Sequence, residues 1–150
     1  MRTAVAAAFA FVTMATPAVC AADAPGWTYS YDNGVATATQ HDDRGKVTAT
    51  MTCRPPDGDI IFSDYTLGRV ARRANQASIG VGNMSVTIPA SVQRVGRDQV
   101  LTIHLPQRPP ILAGVQPTDH ITVTVAGRSQ TYGDGSGVQM KDLAYACWGS

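Results

Sequence analysis

Residues 35–53 read VATATQHDDRGKVTATMTC, and this stretch decides the fold class. Apolar and polar side chains alternate on both sides of a short polar break, and a period of two is typical of half-buried β-strands. The break, HDDRG at 41–45, has the Asp and Gly content of a tight turn. One face of the second segment carries Val47, Ala49, Met51 and Cys53. The stretch therefore predicts an antiparallel hairpin whose Cys53 points into a core.

The same pattern continues in both directions along the chain. Asn33-Gly34 supplies the turn of a preceding hairpin. Alternating segments also occupy 60–65, 78–81, 84–89, 99–105, 120–126 and 128–132. The period changes only near the end, where Met140, Leu143, Ala144 and Cys147 follow the offsets 0, 3, 4 and 7 of one helix face. We predict an all-β domain, an antiparallel β-sandwich or flattened barrel of about eight to nine short strands with one short C-terminal helix.

The charge balance excludes one class of partner. The chain of 150 residues has 12 basic and 11 acidic side chains, and every acidic residue is Asp. A formal net charge of +1 lacks the basic excess that nucleic-acid binding requires, so we expect no nucleic-acid partner. With 44% hydrophobic residues, the composition is that of a folded domain rather than a disordered segment.

The N-terminus has the form of a secretory signal peptide. A positive start at 1–3 precedes an apolar run at 4–15, which is too short to span a bilayer. Cleavage after Ala21 or Ala22 would give a signal peptide at 1–22 and a single secreted β-rich domain at 23–150. Lipidation of Cys20 is the alternative, but the branched Val19 precedes it where lipoprotein signals have a small residue. We expect a periplasmic or secreted protein without a transmembrane segment.

Cys53 and Cys147 remain once Cys20 is removed with the signal peptide. An even pair in an oxidising compartment predicts a disulfide. The strand pattern turns Cys53 inward and the helix pattern turns Cys147 inward, so the bridge would pin the terminal helix to the sheet. A zinc site is the alternative, but two distant cysteines without a histidine at ligand spacing make a poor one.

Several of these features together resemble a known family. The strand-borne Cys53, the run 101–106 followed by LAGV at 112–115, the strand 121–126 and the terminal helix resemble small envelope proteins of the invasion-associated locus B type. The resemblance covers the last third of the chain. The ending Ala146-Cys147-Trp148 is also similar to the close of VasI-like proteins associated with type VI secretion. Both resemblances imply a periplasmic or exported β-rich protein that acts through partners and has no catalytic residues to carry over.

Arg69, Arg72 and Arg73 are the candidate binding residues. They fall in the segment 67–75, which loses the strand alternation. If this segment were helical, its three guanidinium groups would share one face and suit a carboxylate, phosphate or sulfate. A solvated cluster of surface charge is the alternative.

The histidines are weaker candidates. His104 and His120, with Asp119 beside the second, could meet across neighbouring strands and form a metal-binding or pH-sensitive spot. Isolated surface histidines are the alternative, and we predict no metal and no cofactor. His41 adjoins Asp42 and Asp43 and could begin an acid/base site, but a turn explains these residues as well.

These observations favour a non-catalytic binding or accessory module of a bacterial-type cell envelope. Such a module would act through a protein or an envelope component and would not be an enzyme. One alternative is a small hydrolase, metal-dependent or based on His and Asp, that uses His41, His104 or His120. A second alternative is a secreted protease inhibitor. The fold class alone does not decide among the three.

Overall fold

The computed structural model describes residues 26–56, 58–133 and 135–149. The predicted signal peptide, its cleavage site and Cys20 lie outside these residues. The strands are β1 (Gly26–Asp32), β2 (Val35–His41), β3 (Val47–Cys53), β4 (Ile60–Asp64), β5 (Gln76–Val81), β6 (Met84–Val95), β7 (Asp98–Leu105), β8 (Ile121–Val125) and β9 (Arg128–Tyr132). A short 3-10 helix (Pro110–Leu112) follows β7, and α1 (Ser136–Trp148) follows β9. Neither of these described helices is long and apolar enough to cross a bilayer.

The nine strands form one antiparallel sheet in the order β1-β2-β3-β4-β7-β6-β5-β8-β9. The sheet curls into a half-barrel with α1 against β1 to β4. The predicted all-β antiparallel class, the number of strands, the terminal helix and the cysteine pair are all confirmed. Strand β6 pairs with both β5 and β7 and so joins the two halves of this sheet.

Strand β6 is twice as long as the alternation at 84–89 predicted. It has twelve residues, pairs with β5 as far as Pro89 and pairs with β7 from Ala90 onward. A proline cannot donate a ladder hydrogen bond and would usually end a central strand. Here Pro89 stands where β6 changes partners, so the strand continues through it.

Hydroxyl side chains cover much of the outer face of the sheet. Cross-strand pairing aligns one row across six neighbouring strands: Thr28, Thr39, Thr50, Ser63, Thr102 and Ser91. Directly opposed residues lie on the same face of an antiparallel pair. Threonine combines a branched side chain that suits a strand with a hydroxyl that water can solvate, and every member of this row except the buried Thr102 is at least partly exposed. The outer face is therefore polar although only 15% of the residues are charged.

Small side chains on the inner face let α1 approach the sheet closely. Ala36 and Ala38 in β2 and Ala49 in β3 are fully buried, and α1 packs chiefly against these two strands. The helix buries the predicted stripe of Met140, Leu143, Ala144 and Cys147. Cys147 pairs with Cys53 at a Cα–Cα distance of 6.1 Å, so the bridge fixes the last turn of α1 to the end of β3.

A buried carboxylate lies at the end of β4. Asp64 is fully buried, and its Oδ1 accepts hydrogen bonds from the backbone N–H groups of Thr66 and Leu67, both at 2.7 Å. Its Oδ2 accepts a hydrogen bond of 2.6 Å from the phenol of Tyr132 at the end of β9. Burial, and then the neighbouring Asp64 charge, raises the pKa of the Tyr132 phenol well above its usual value. The pair ties β4 to an edge strand across the concave face.

Aromatic packing continues from this pair to the opposite edge of the sheet. The Tyr132 ring meets Phe62 edge to face at a centroid distance of 5.5 Å and Trp27 at 6.2 Å. Trp27 belongs to β1 and Tyr132 to β9, the two edge strands. Edge-to-face pairs contribute beyond the apolar area that they bury. The contact brings the two ends of the sheet together and stabilises its curl.

The disulfide yields the first prediction. We expect Cys53→Ser to lower the free energy of unfolding by roughly 2–5 kcal/mol under oxidising conditions, because the bridge closes a loop with a sequence separation of 94. Urea denaturation with and without strong reductant measures the difference. Reductant should lower the free energy of unfolding of the wild type to that of Cys53→Ser. Thr52→Ser is the matched control. Equal stability of Cys53→Ser and wild type without reductant would contradict the bridge.

The buried pair yields the second prediction. Tyr132→Phe leaves Asp64 Oδ2 without its phenol donor, and we expect a loss of roughly 1–3 kcal/mol at pH 7. An unfolded tyrosine releases its proton near pH 10, but folded Tyr132 holds it far longer because its pKa is raised. The wild type therefore has the full contribution of Tyr132 below about pH 10 and loses it as the pH rises further.

Urea denaturation from pH 7 to 11 tests this dependence. The Tyr132→Phe variant should lack the alkaline loss that Tyr132 causes, so the two stability curves should converge at high pH. Tyr31→Phe, which alters an exposed edge residue, should follow the wild type. Parallel curves for wild type and Tyr132→Phe would show that the phenol proton is not linked to folding.

Candidate binding groove

A groove of about 310 Å³ runs between α1 and the proline-rich segment that follows β7. We call it the helix groove. Its first wall consists of Pro109, Pro110, Leu112 and Ala113, and its second wall of Ala144, Tyr145 and Trp148. Arg108 and Lys141 complete the lining. The groove thus combines apolar walls with two cationic side chains.

The second wall exists because α1 carries two side-chain stripes. The stripe that includes Met140 and Cys147 faces the sheet. A second stripe, displaced by one residue, contains Lys141, Ala144, Tyr145 and Trp148 at the same offsets of 0, 3, 4 and 7. Helical residues at these offsets share a face. The helix therefore packs on the sheet with one stripe and lines the groove with the other.

Hydrogen bonding fixes the end of this wall. The indole Nε1 of Trp148 donates a hydrogen bond of 2.8 Å to the carbonyl of Gly58, in the loop after β3. Tyr145, by contrast, is 52% exposed, and the Lys141 Nζ lies 6.0 Å from the centroid of its ring. The groove thus has one anchored aromatic side chain and one that a ligand could cover.

Proline chemistry shapes the first wall. Pro106, Pro109 and Pro110 prevent the strand β7 from continuing, because proline has no backbone N–H for the ladder. The backbone instead forms the 3-10 helix, which buries Ile111 beneath the wall. Backbone N–H groups of Leu112 and Ala113 donate to the carbonyls of Pro109 and Pro110, both at 3.0 Å. The wall is therefore held by its own hydrogen bonds.

Arg108 adopts an uncommon backbone conformation. Its φ is 51°, in the left-handed region, which costs a non-glycine residue about 1–2 kcal/mol. Residues held in this region are often found at binding sites. Neither Arg108 nor Lys141 has a carboxylate partner within the described ranges. Both cations line the helix groove.

The predicted arginine cluster does not form a helical face. The segment 66–75 folds into successive turns in which Leu67, Gly68 and Ala71 are buried and the arginines are exposed. The backbone of Gly68 packs so closely on the Gln99 carbonyl that a side chain at position 68 would overlap it. The segment packs against β7 through this contact and is not a regular helix, so Arg69, Arg72 and Arg73 do not share the helical face that a helix would have given them.

The three arginines have different surroundings. The Nε of Arg72 donates a hydrogen bond of 2.8 Å to Gln99 Oε1. Arg69 lines a polar cleft of about 370 Å³ whose lining also includes Lys46, Asp42 and Asp98. Charges of both signs meet in that cleft. The polar cleft therefore favours an anionic ligand less than the helix groove does.

The histidine candidates are not on neighbouring strands. His104 is in β7 and His120 precedes β8, and both β6 and β5 lie between these strands. Asp119 accepts a hydrogen bond of 2.7 Å from the backbone N–H of Gln116 and so closes a turn. Among the described residues, no group of three or more His, Cys, Asp or Glu side chains could hold a metal ion.

The turn after β2 accounts for Asp42. Its Oδ1 accepts hydrogen bonds of 2.9 Å from the backbone N–H groups of Arg44 and Lys46. The bond from Lys46, followed by that from Arg44, lowers the pKa of the Asp42 carboxyl. His41 lies buried at the end of β2. The turn prediction for this stretch is confirmed, with His41 in the strand.

Both walls of the helix groove correspond to features of the sequence. A second stripe in α1, with Lys141 beside Ala144, Tyr145 and Trp148, and the run PQRPPIL at 106–112 are both present in the sequence. Lys141 and Tyr145 usually indicate a solvated helix face, and prolines usually indicate a loop. The sequence pattern does not encode the contact between these two segments.

Reversal of the arginine charges yields the third prediction. The side chains of Arg69, Arg72 and Arg73 are exposed, so we expect the triple change to Asp to alter the free energy of unfolding by less than about 1 kcal/mol. Urea denaturation measures this change. If the segment is a binding surface, the same variant should lose partners in a pull-down. A cooperative loss of stability would show that the arginines hold the segment in place.

Comparison with known proteins leaves the family open. No family model matches the chain. No curated protein is significantly similar to it in sequence, and no solved structure matches its fold significantly. The resemblance to invasion-associated locus B and VasI-like proteins therefore stays a hypothesis.

Proposed function

We propose that the protein is a non-catalytic binding or accessory module of a bacterial-type cell envelope. It would be periplasmic or secreted after removal of residues 1–22, and it would bind a protein or an envelope component. We further propose that the helix groove is its binding surface. The arginine segment at 66–75 is the competing surface.

One observation carries the proposal. The second wall of the helix groove is a stripe of α1 that the core does not bury completely, and it faces the apolar first wall. Ligand sites in proteins are typically concave and apolar, with a few polar groups that fix orientation. The disulfide at Cys147 and the Trp148 hydrogen bond hold this wall in place without a ligand. A preformed apolar groove of this kind supports binding by a rigid scaffold.

The disulfide also supports the proposed compartment. Disulfide bonds persist in the periplasm and outside the cell, whereas cytosolic thiols are kept reduced. The bridge between Cys53 and Cys147 is consistent with a secreted chain. The apolar run at 4–15 is the second argument for export.

Site-specific photocrosslinking tests the proposal and gives the fourth prediction. A benzophenone amino acid replaces Tyr145 in the groove, or the adjacent exposed Ala146, which does not line the groove. A third probe replaces the exposed Val70 in the arginine segment. After irradiation in the intact envelope, mass spectrometry identifies the adducts and measures the intact mass of the recovered protein.

We expect a specific adduct at position 145 that is absent at 146. An adduct at position 70 alone would move the binding surface to the arginine segment. The intact mass should match a chain cleaved after Ala21 or Ala22, without lipid and with two hydrogens fewer for the disulfide. A full-length chain found only in the cytosol would overturn the proposed compartment.

A further inference from the structure

We infer that the helix groove binds an acyl carboxylate, a single alkyl chain that ends in a carboxylate group. This inference rests on the proposed function and names the chemistry of its ligand. The alkyl chain would lie between the two apolar walls. The carboxylate would lie near Arg108 and Lys141.

The size of the groove suits a single narrow chain. From Lys141 to Trp148, the wall on α1 extends seven residues, or about 10 Å at 1.5 Å per residue. A volume of about 310 Å³ is at the lower end of the range for small-molecule sites. A folded partner domain would need a larger surface for stable binding. The groove is therefore better matched to part of a small amphiphile.

The backbone around the groove argues against a peptide ligand. On one side, the amides of α1 are engaged within the helix, and on the other side Pro109 and Pro110 have no N–H group. The amides of Leu112 and Ala113 already donate to the 3-10 helix. A bound peptide would bury N–H and C=O groups with few partners, which is unfavourable. An alkyl chain has no such groups to satisfy.

Charge complementarity determines the head group. Arg108 and Lys141 both line the groove, and neither has a carboxylate partner among the residues that the structure describes. A guanidinium group can bind a carboxylate through two parallel hydrogen bonds, and an ammonium group adds a second positive charge. A cationic head group would be repelled, and a neutral one would gain no ionic contact. The groove therefore favours an anionic amphiphile.

Tryptophan fluorescence provides a direct assay and the fifth prediction. The chain has two tryptophans, and Trp27→Phe leaves Trp148 in the groove as the only tryptophan, which is excited selectively over the tyrosines at long wavelength. The probes are decanoate, decyltrimethylammonium and decyl maltoside, each below its critical micelle concentration. We expect saturable binding of decanoate, with at least tenfold weaker binding of the other two. Calorimetric titration of the wild type repeats the comparison without the Trp27 substitution.

Substitutions in the groove locate the binding site. Lys141→Gln and Arg108→Gln should each weaken decanoate binding about tenfold, because each removes a charged hydrogen-bond donor. Lys46→Gln and Arg128→Gln change exposed cations outside the groove and should leave the affinity unchanged. Ala113→Trp should fill the groove and abolish binding, with thermal unfolding as the check that the variant is folded. Shortening the probe to octanoate should weaken binding by up to about fourfold for each methylene removed.

The outcomes separate this inference from the proposed function. Equal binding of the three head groups, or decanoate binding that survives Ala113→Trp in a folded variant, would overturn the inference. If none of the probes binds while position 145 crosslinks to a protein, the proposed binding module is supported and the acyl carboxylate ligand is rejected. If neither probe binding nor a crosslink at position 145 is found, both proposals fall.

Discussion

The contact of α1 with the inner face of the sheet is the constraint on which the rest of the structure depends. A curled nine-stranded sheet leaves one concave side open, and Met51 and Phe62 on that side are fully buried in the folded protein. The alanines of β2 and β3 give the helix a close approach, and the bridge from Cys147 to Cys53 prevents it from leaving. The same helix supplies one wall of the groove. The covalent bond that completes the core thus also fixes the candidate site.

A buried polar pair performs the corresponding role on the other half of the concave side. Asp64 and Tyr132 join the middle of the sheet to its last strand, and Trp27 extends the contact to its first strand. A buried carboxylate is tolerated only when its oxygen atoms have donors, and both of the Asp64 oxygens do. Apolar packing alone would also favour a curled sheet, but it would depend less on how β4 and β9 are aligned. The hydrogen bonds add a directional requirement that favours one alignment of β4 and β9.

Local patterns predicted the elements well, and the misses arise from contacts between distant parts of the chain. Alternation identified the strands, and the offsets of Met140, Leu143, Ala144 and Cys147 identified the helix and its buried face. The placement of β7 beside β4 depends on pairing that no local signal encodes. The continuation of β6 beyond Pro89 depends on a change of partner, and the turns at 66–75 depend on the fit of Gly68 against Gln99. The arginine face and the histidine pair were hypotheses about such contacts, and the structure arranges their residues differently.

The helix groove shows why a candidate site can escape a search for motifs. A terminal helix on a sheet needs one apolar stripe, and α1 has a second stripe in which Trp148 is only partly buried and Tyr145 is 52% exposed. Lys141 and Arg108 place two charged groups beside the apolar walls, and in the proposed complex these charges would select the head group of the ligand. Because the disulfide and the Trp148 hydrogen bond hold the wall in both states, little ordering would accompany binding. Affinity could then come from a small apolar contact, which is what a groove of this size can provide.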